Sequence, residues 1–275
     1  MIAINLELCT GCGHCIGIYL ETCLRLENGK AVVQRDACTT CTQCIAVCPR
    51  RAITWEGMPV QPFDRSRLPS PSQLDELFKE RRSVRAFRKE KIARPVLEEI
   101  TCYGSYAPTM NPALRAVIVD DEATIARLDE ILMGLVRTLY NHVFNSRIVA
   151  GAANLLGLGK EFLKAKPKLE AAVRNGQALH TTPAAMLFLV GSKKVTLSNE
   201  SAQYVMANII YYAQSLGIGS CLFANAPIFY DRHGAARRLL GLRRGERIYA
   251  GLLLGYPAIK YLNKAEGRSM EIQWV

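Results

Sequence analysis

The sequence lacks several features that would assign the protein to a common functional class. No apolar run in its 275 residues is long enough to span a bilayer, and residues 1–8 lack the basic start and cleavage site of a secretory signal. No G-x-G-x-x-G signature marks a built-in dinucleotide-binding domain, and no nucleic-acid-binding motif is present. We therefore expect a cytoplasmic protein that binds neither a membrane nor a nucleic acid.

Charge is distributed unevenly along the chain. Residues 1–57 contain equal numbers of basic and acidic residues, so the remaining residues carry the whole formal net charge of +11. The excess is spread out and forms no continuous basic arm. Such a surface suits an acidic redox protein or an anionic cofactor, or it is a solvated surface without a partner, and both interpretations stay open.

Cysteine, in contrast, is abundant and clustered. Eight of the ten cysteines lie between Cys9 and Cys48. The run from Cys38 to Pro49 matches the bacterial iron–sulfur spacing C-x2-C-x2-C-x3-C-P at every position. The run that begins at Cys9 opens with the same triplet, but its fourth cysteine, Cys23, comes after seven residues and no proline follows it.

The spacing predicts two [4Fe–4S] clusters. A loop that supplies three thiolates cannot close around a cluster, and in two-cluster ferredoxins the fourth ligand comes from the other motif. One cluster is therefore expected on Cys9, Cys12, Cys15 and Cys48, and the other on Cys38, Cys41, Cys44 and Cys23. Because a long spacer precedes Cys23, the alternative that Cys23 is not a ligand, with the second cluster altered or missing, stays open.

Zinc ligation and disulfide formation account less well for these cysteines. Zinc sites use paired C-x2-C units, and a disulfide framework suits a short secreted chain. Gly11 and Gly13 let the first cysteine loop turn tightly. His14 is interpreted as a loop residue because the cysteines already supply enough ligands.

The chain divides into three parts by composition. Residues 1–57 form two similar halves, each with a short strand and a cysteine loop, and the predicted clusters hold this small domain together. Residues 58–71 are rich in proline and indicate a linker. Residues 72–275 mix long amphipathic helices with four or five strands, one of them over residues 270–275, which predicts an α+β domain.

Four short motifs in residues 72–275 occur in an order that is typical of one enzyme family. They are Arg81 to Phe87, Ala107 to Asn111, Leu216 to Cys221 and Leu254 to Pro257. Together they resemble the flavin-dependent nitroreductase family, and the whole chain resembles a nitroreductase fused to an N-terminal ferredoxin domain. The resemblance implies a ferredoxin-like domain followed by a nitroreductase-like α+β domain, and a homodimer with FMN bound in pockets built from both subunits.

The resemblance also implies roles for the first motif. Arg81 is expected at the FMN phosphate, which accepts forked donors, and Ser83 at the phosphate or ribityl chain. Arg85 is expected near N1 and O2 of the ring, where a cation stabilises the reduced flavin, and Arg82 assists. Without the other motifs, a solvated basic helix end would explain these arginines.

Other residues complete the implied FMN site. Asn111 is expected to pair with the pyrimidine edge, although it could be a turn residue beside Pro112. Gly219 and Ser220 are expected to bring backbone amides near the ring. Arg268 resembles the family's late phosphate-binding arginine, and Lys264 is a weaker candidate.

Two features limit the assignment of the site. Residues 112–115 stand where many relatives have a glutamine and an aromatic residue, which leaves the contacts beside the ring open. Cys102 and Cys221 are interpreted as buried structural thiols, since no partnered histidine is evident. No side chain is assigned as a catalytic acid or base.

These observations predict an iron–sulfur flavoprotein oxidoreductase. It would pass single electrons from the clusters to FMN for two-electron reduction of a small organic substrate such as a nitroaromatic, quinone or enone. An external ferredoxin or another donor would supply the electrons. Two alternatives stay open: substrate oxidation that delivers electrons to ferredoxin, and a non-catalytic carrier or sensor with FMN as a relay.

Overall fold

The computed structural model divides the chain into two compact units, Met1–Ser70 and Pro71–Val275, which we describe separately. No helix among the described residues is long and apolar enough to cross a membrane. The structure describes residues 1–18, 23–39, 41–109, 114–146, 148–149, 155, 159–264 and 270–275, without the side chains of 159–163 and 165.

Among its described residues, the N-terminal unit contains two small antiparallel sheets and two single-turn α-helices. Strand β1 pairs with β4, and β2 pairs with β3. The elements are β1 (Ile2–Ile4), α1 (His14–Gly17), β2 (Leu24–Glu27), β3 (Lys30–Val33), α2 (Gln43–Ala46) and β4 (Ile53–Trp55). The short apolar runs at residues 2–6, 30–34 and 52–55 predict strands, which are confirmed as β1, β3 and β4, whereas β2 was not predicted.

Few large apolar side chains stabilise this unit. Ile2, Leu24 and Ile53 form one small core with Cys44, and Cys9 packs with two alanines in another. Several other cysteines line these cores. Because so little apolar surface is buried, the cysteines make up a large part of the interior of this unit.

The C-terminal unit is built on one four-stranded antiparallel sheet in the order β5-β6-β8-β7. Its strands are β5 (Leu114–Val119), β6 (Ala185–Ser192), β7 (Gly219–Leu222) and β8 (Glu246–Gly255). The α-helices with both ends among the described residues are α3 (Pro71–Glu80), α4 (Arg94–Tyr103), α5 (Glu122–Leu139), α6 (Gly159–Asn175), α7 (Ser198–Ser215) and α8 (Gly234–Leu239).

Helices cover both faces of this sheet. Along β6, Phe188 points into the core that includes side chains of α5 and α8, and Leu187 and Leu189 point into the core that includes α4 and α7. All three side chains are nearly inaccessible to solvent. A strand buried on both faces has a continuous apolar sequence, which is why β6 was recognisable. The α+β prediction is confirmed for this unit.

Local signals explain the starts of several helices. The Asp121 carboxylate caps α5 by accepting a hydrogen bond of 2.8 Å from the Thr124 backbone N–H. The spacing of Ser72 and Asp75 predicts a helix that starts at Ser72, and α3 begins one residue earlier, at Pro71, because proline fits the first helical position. The strand predicted over residues 270–275 is wrong, since these residues are exposed and form no strand. The alternation of apolar and polar residues does not form a strand here, because no neighbouring strand edge among the described residues pairs with these residues.

Candidate functional site

The structure brings the first predicted set of cysteines together. Cys9, Cys12, Cys15 and Cys48 line one cavity of the N-terminal unit. The backbone N–H groups of Ala31 and Ala52 donate hydrogen bonds to the sulfurs of Cys9 and Cys48, at 3.4 and 3.3 Å. The bond from Ala31 lowers the pKa of Cys9.

The second predicted set lines another cavity. Cys23, Cys38, Cys41 and Cys44 lie around it, together with Cys15 of the first set. Burial, together with the neighbouring sulfurs, raises the pKa of Cys44 to about 11. Four thiolates in one place would repel one another, so a positively charged centre would be required to hold these thiols ionised.

The donor set fits an iron–sulfur cluster better than a disulfide framework or a zinc ion. All ten cysteines are free thiols in the structure, so no disulfide framework is present among them. Within the described parts of the chain, no group of three or more His, Cys, Asp or Glu side chains is placed to hold a metal ion. Thiols spread around a cavity suit a polynuclear cluster, in which each thiolate binds a different iron, better than a single zinc ion.

The loop of the first set depends on one glycine. Gly11 has φ +69°, and a Cβ there would lie 2.1 Å from the backbone oxygen of Gly29 in the β2–β3 turn. Gly13 also has a positive φ, but a Cβ there would meet nothing within 4 Å. Glycine is therefore needed at position 11 for two reasons: the backbone is left-handed there, and it lies too close to another turn to leave room for a Cβ.

In the C-terminal unit, three of the four predicted motifs converge. The segment from Arg81 to Phe87 runs beside β7 and the end of β8. The Val84 N–H donates to the Ser220 oxygen at 2.9 Å, and the Arg88 N–H donates to the Tyr256 oxygen at 2.8 Å. The Ala258 N–H donates to the Ala86 oxygen at 2.9 Å on the same side of the segment.

Glycines permit this convergence. A Cβ on Gly219 would lie 2.8 Å from Val84 Cγ2 and 2.9 Å from Pro257 Cγ. A Cβ on Gly255 would lie 2.7 Å from the ring of Phe87. Distances below 3 Å are not tolerated between carbon atoms, so each motif needs its glycine for packing against the next motif.

The arginines of the first motif have different surroundings. Within the described part of the chain, the half-buried Arg81 makes no side-chain hydrogen bond or ion pair. The Arg82 guanidinium donates to the backbone oxygens of Lys79 and Arg81, at 2.5 and 2.8 Å, at the end of α3. Arg81 is thus available to an anion, whereas Arg82 is already engaged by the helix end.

Arg85 directly follows Val84 in the segment. Its side chain is exposed and donates weakly to the Ser83 backbone oxygen at 3.4 Å. Burial raises the pKa of the Cys221 thiol, and the positive charge of Arg85 opposes that shift. Arg85 therefore lies within electrostatic range of the strand that contains Ser220, which is itself buried.

Some predicted residues cannot be placed or have other partners. Asn111 and Arg268 lie outside the described residues, and their roles remain predictions. Lys264 forms ion pairs with Glu76 and, at 3.8 Å, with Asp75 of α3. The prediction that Cys102 is buried is wrong, since this thiol is exposed, and Cys221 is only partly buried.

Sequence reasoning missed one contact of the first motif. Thr181 precedes β6 and bonds to the backbone of Arg85 and Phe87 through its hydroxyl. No local pattern marks this threonine, because its partners lie 94 and 96 residues away.

The chain is similar in sequence to one known protein family. The sequence model of the nitroreductase family matches residues 78–256. None of the curated proteins matches the chain.

Several solved structures share the fold of the C-terminal unit. A nitroreductase with bound FMN from Bacteroides fragilis NCTC 9343 is 20% identical with a TM-score of 0.54, and the match covers 74% of this chain and 98% of that one. A nitroreductase with bound FMN from Desulfitobacterium hafniense DCB-2 is 14% identical with a TM-score of 0.53, covering 72% and 97%. An iodotyrosine deiodinase bound to FMN and 3-iodo-L-tyrosine is 21% identical with a TM-score of 0.52, covering 73% and 98%.

Proposed function

The chain belongs to the nitroreductase family, and we propose that it is an FMN-dependent oxidoreductase whose N-terminal unit supplies electrons through two [4Fe–4S] clusters. The proposal of an FMN-dependent enzyme is supported by the convergence of three family motifs on β7 and the end of β8. The two separate sets of four cysteines support the iron–sulfur part.

The residues of the C-terminal unit fit FMN. Arg81 offers a guanidinium to the phosphate, and such a contact is charge-assisted and forked. Ser83 offers a hydroxyl beside it. Arg85 and the edge of β7 at Gly219 and Ser220 offer a cation and backbone groups to the ring, and a cation there favours the reduced form. Asn111 and Arg268 complete the proposed site.

The N-terminal unit fits two clusters. We assign Cys9, Cys12, Cys15 and Cys48 to one and Cys23, Cys38, Cys41 and Cys44 to the other. When bound, the clusters supply single-electron transfer, and FMN supplies two-electron reduction of an organic substrate. The backbone donors on the sulfurs of the first set tune its potential.

The chemistry implies the class of substrate and partners. A small organic acceptor such as a nitroaromatic, quinone or enone is reduced at the flavin. An external ferredoxin or a similar donor supplies single electrons, and a second copy of the chain completes the FMN pockets. The family resemblance supports the homodimer.

Anaerobic purification tests the proposal. We expect about eight irons with matching sulfide and about one FMN per chain. About four irons would remove Cys23 from the ligands, and a protein that neither contains nor binds FMN would overturn the oxidoreductase. Reduction of the purified protein by a single-electron donor, followed by oxidation with a quinone or nitroaromatic, tests the direction of electron flow.

A further inference from the structure

Two backbone groups of the first motif face away from the sheet. In the Arg81–Phe87 segment, Val84 N–H and Ala86 oxygen bond to the edge formed by β7 and the end of β8. In an extended chain, neighbouring residues direct their backbone groups to opposite sides. The Arg85 oxygen and the Phe87 N–H therefore need partners on the other side.

Thr181 provides both partners with one hydroxyl. Its Oγ1 donates to the Arg85 oxygen at 2.8 Å and accepts from the Phe87 N–H at 3.2 Å. A hydroxyl is suited to this position because it is donor and acceptor at once. The side chain thus replaces the missing neighbouring strand and fixes the backbone on both sides of residue 86.

The segment that contains Thr181 is itself fixed at both ends. Before it, the Leu179 N–H donates to the Asp129 carboxylate of α5 at 2.9 Å, and the Leu179 side chain is buried. After it, the Ala184 N–H donates to the Leu254 oxygen of β8 at 2.9 Å. Thr181 is therefore held by the core of the unit and can transmit that rigidity to Arg85.

We propose that Thr181 is a positioning residue for FMN, because its hydroxyl holds Arg85 in the conformation that meets the flavin. This inference rests on the proposed function. Without the hydroxyl, the segment samples other conformations, and the apparent affinity for FMN falls by the fraction of time spent in the competent one. Displacement of Arg85 also removes a positive charge from the ring and lowers the flavin reduction potential.

The test compares Thr181→Val, which keeps the shape but loses the hydroxyl, with Thr181→Ser, which keeps the hydroxyl. Full-length protein is freed of FMN and titrated with FMN by fluorescence quenching, and the flavin midpoint potential is measured after saturation. We expect Thr181→Val to weaken FMN binding about tenfold and to make the potential more negative. Thr181→Ser should stay within about threefold of the parent protein.

The neighbouring Thr182, which is exposed, provides the matched control as Thr182→Val. Unchanged FMN affinity and potential in Thr181→Val would overturn the inference and leave the proposed function intact. Equal weakening in Thr181→Ser would also overturn it, because packing and not the hydroxyl would then be responsible. Thr181→Ala gives the same comparison if the valine variant does not fold. A parent protein that binds no FMN contradicts the proposed function itself.

Discussion

The two units of this chain reach a folded state in different ways. The N-terminal unit has two-stranded sheets, single-turn helices and a few large buried side chains. The C-terminal unit buries a four-stranded sheet between helices on both faces. Apolar burial therefore stabilises the second unit, whereas the clusters proposed for its cysteines would stabilise the first. Ligand removal should affect the two units unequally.

Removal of iron should have the largest effect. Chelation under anaerobic conditions should unfold residues 1–70 completely, because binding of the metal supplies most of the folding free energy of such a small unit. Residues 71–275 should keep their structure and their FMN. Limited proteolysis followed by mass spectrometry measures this difference. Lasting protection of residues 1–70 after iron removal would show that their apolar core suffices.

Replacement of Gly11 tests whether the two cysteine sets are independent. Gly11→Ala places a Cβ 2.1 Å from the Gly29 oxygen, so the loop with Cys9 and Cys12 should be displaced. We expect about half of the iron to be lost, corresponding to one cluster of about four irons. Iron and sulfide analysis measures the loss.

Gly13→Ala is the matched control for this replacement. It imposes a strained positive φ at a cost of about 1–2 kcal/mol but no steric overlap, since nothing lies within 4 Å of the new atom. Its iron content should stay close to that of the parent protein. Equal loss of iron in both variants would mean that backbone strain and not the contact with Gly29 is decisive.

Replacement of Arg81 tests the anion site of the C-terminal unit. Arg81→Ala should weaken FMN binding about 10- to 100-fold, since a charge-assisted hydrogen bond contributes about 1.5–3 kcal/mol. Iron content should not change. Titration with FMN gives the affinity, and the exposed Arg174→Ala of α6 controls for a general loss of positive charge. The same affinity in both variants contradicts a phosphate contact.

A partly buried ion pair of the C-terminal unit should respond to pH. Two guanidinium bonds from Arg115, at 2.7 and 2.9 Å, hold the pKa of Glu246 at about 2. This pKa lies below the value of about 4.5 in the unfolded chain. The contribution of the ion pair to the free energy of unfolding is therefore present above pH 4.5 and is lost as pH falls towards 2. Glu246→Gln should therefore lower the free energy of unfolding by about 2 kcal/mol at pH 7, and by less at pH 4.

Urea unfolding followed by far-ultraviolet circular dichroism measures this effect. Glu130→Gln serves as the control, because the pair between Glu130 and Arg127 is about two-thirds exposed and should contribute under about 1 kcal/mol. If the free energies of unfolding of the parent protein and Glu246→Gln differ by the same amount at pH 7 and pH 4, a titrating carboxylate is excluded as the cause of that difference.

Local sequence patterns were sufficient to predict much of the secondary structure. The continuous apolar run of β6 and the cap of α5 can be recognised within a few residues. The strand expected over residues 270–275 failed because alternation does not specify a neighbour. Strand β2 was missed because it exposes three of its four residues and so has little apolar pattern.

The sequence by itself determined the two cysteine groups and the family motifs, since both depend on the spacing of chemically distinctive residues. Only the tertiary structure decided how distant groups meet. It placed Cys23 beside Cys38 and brought Thr181 to the backbone of Arg85. These contacts depend on how the chain packs across long separations, and no local periodicity encodes them.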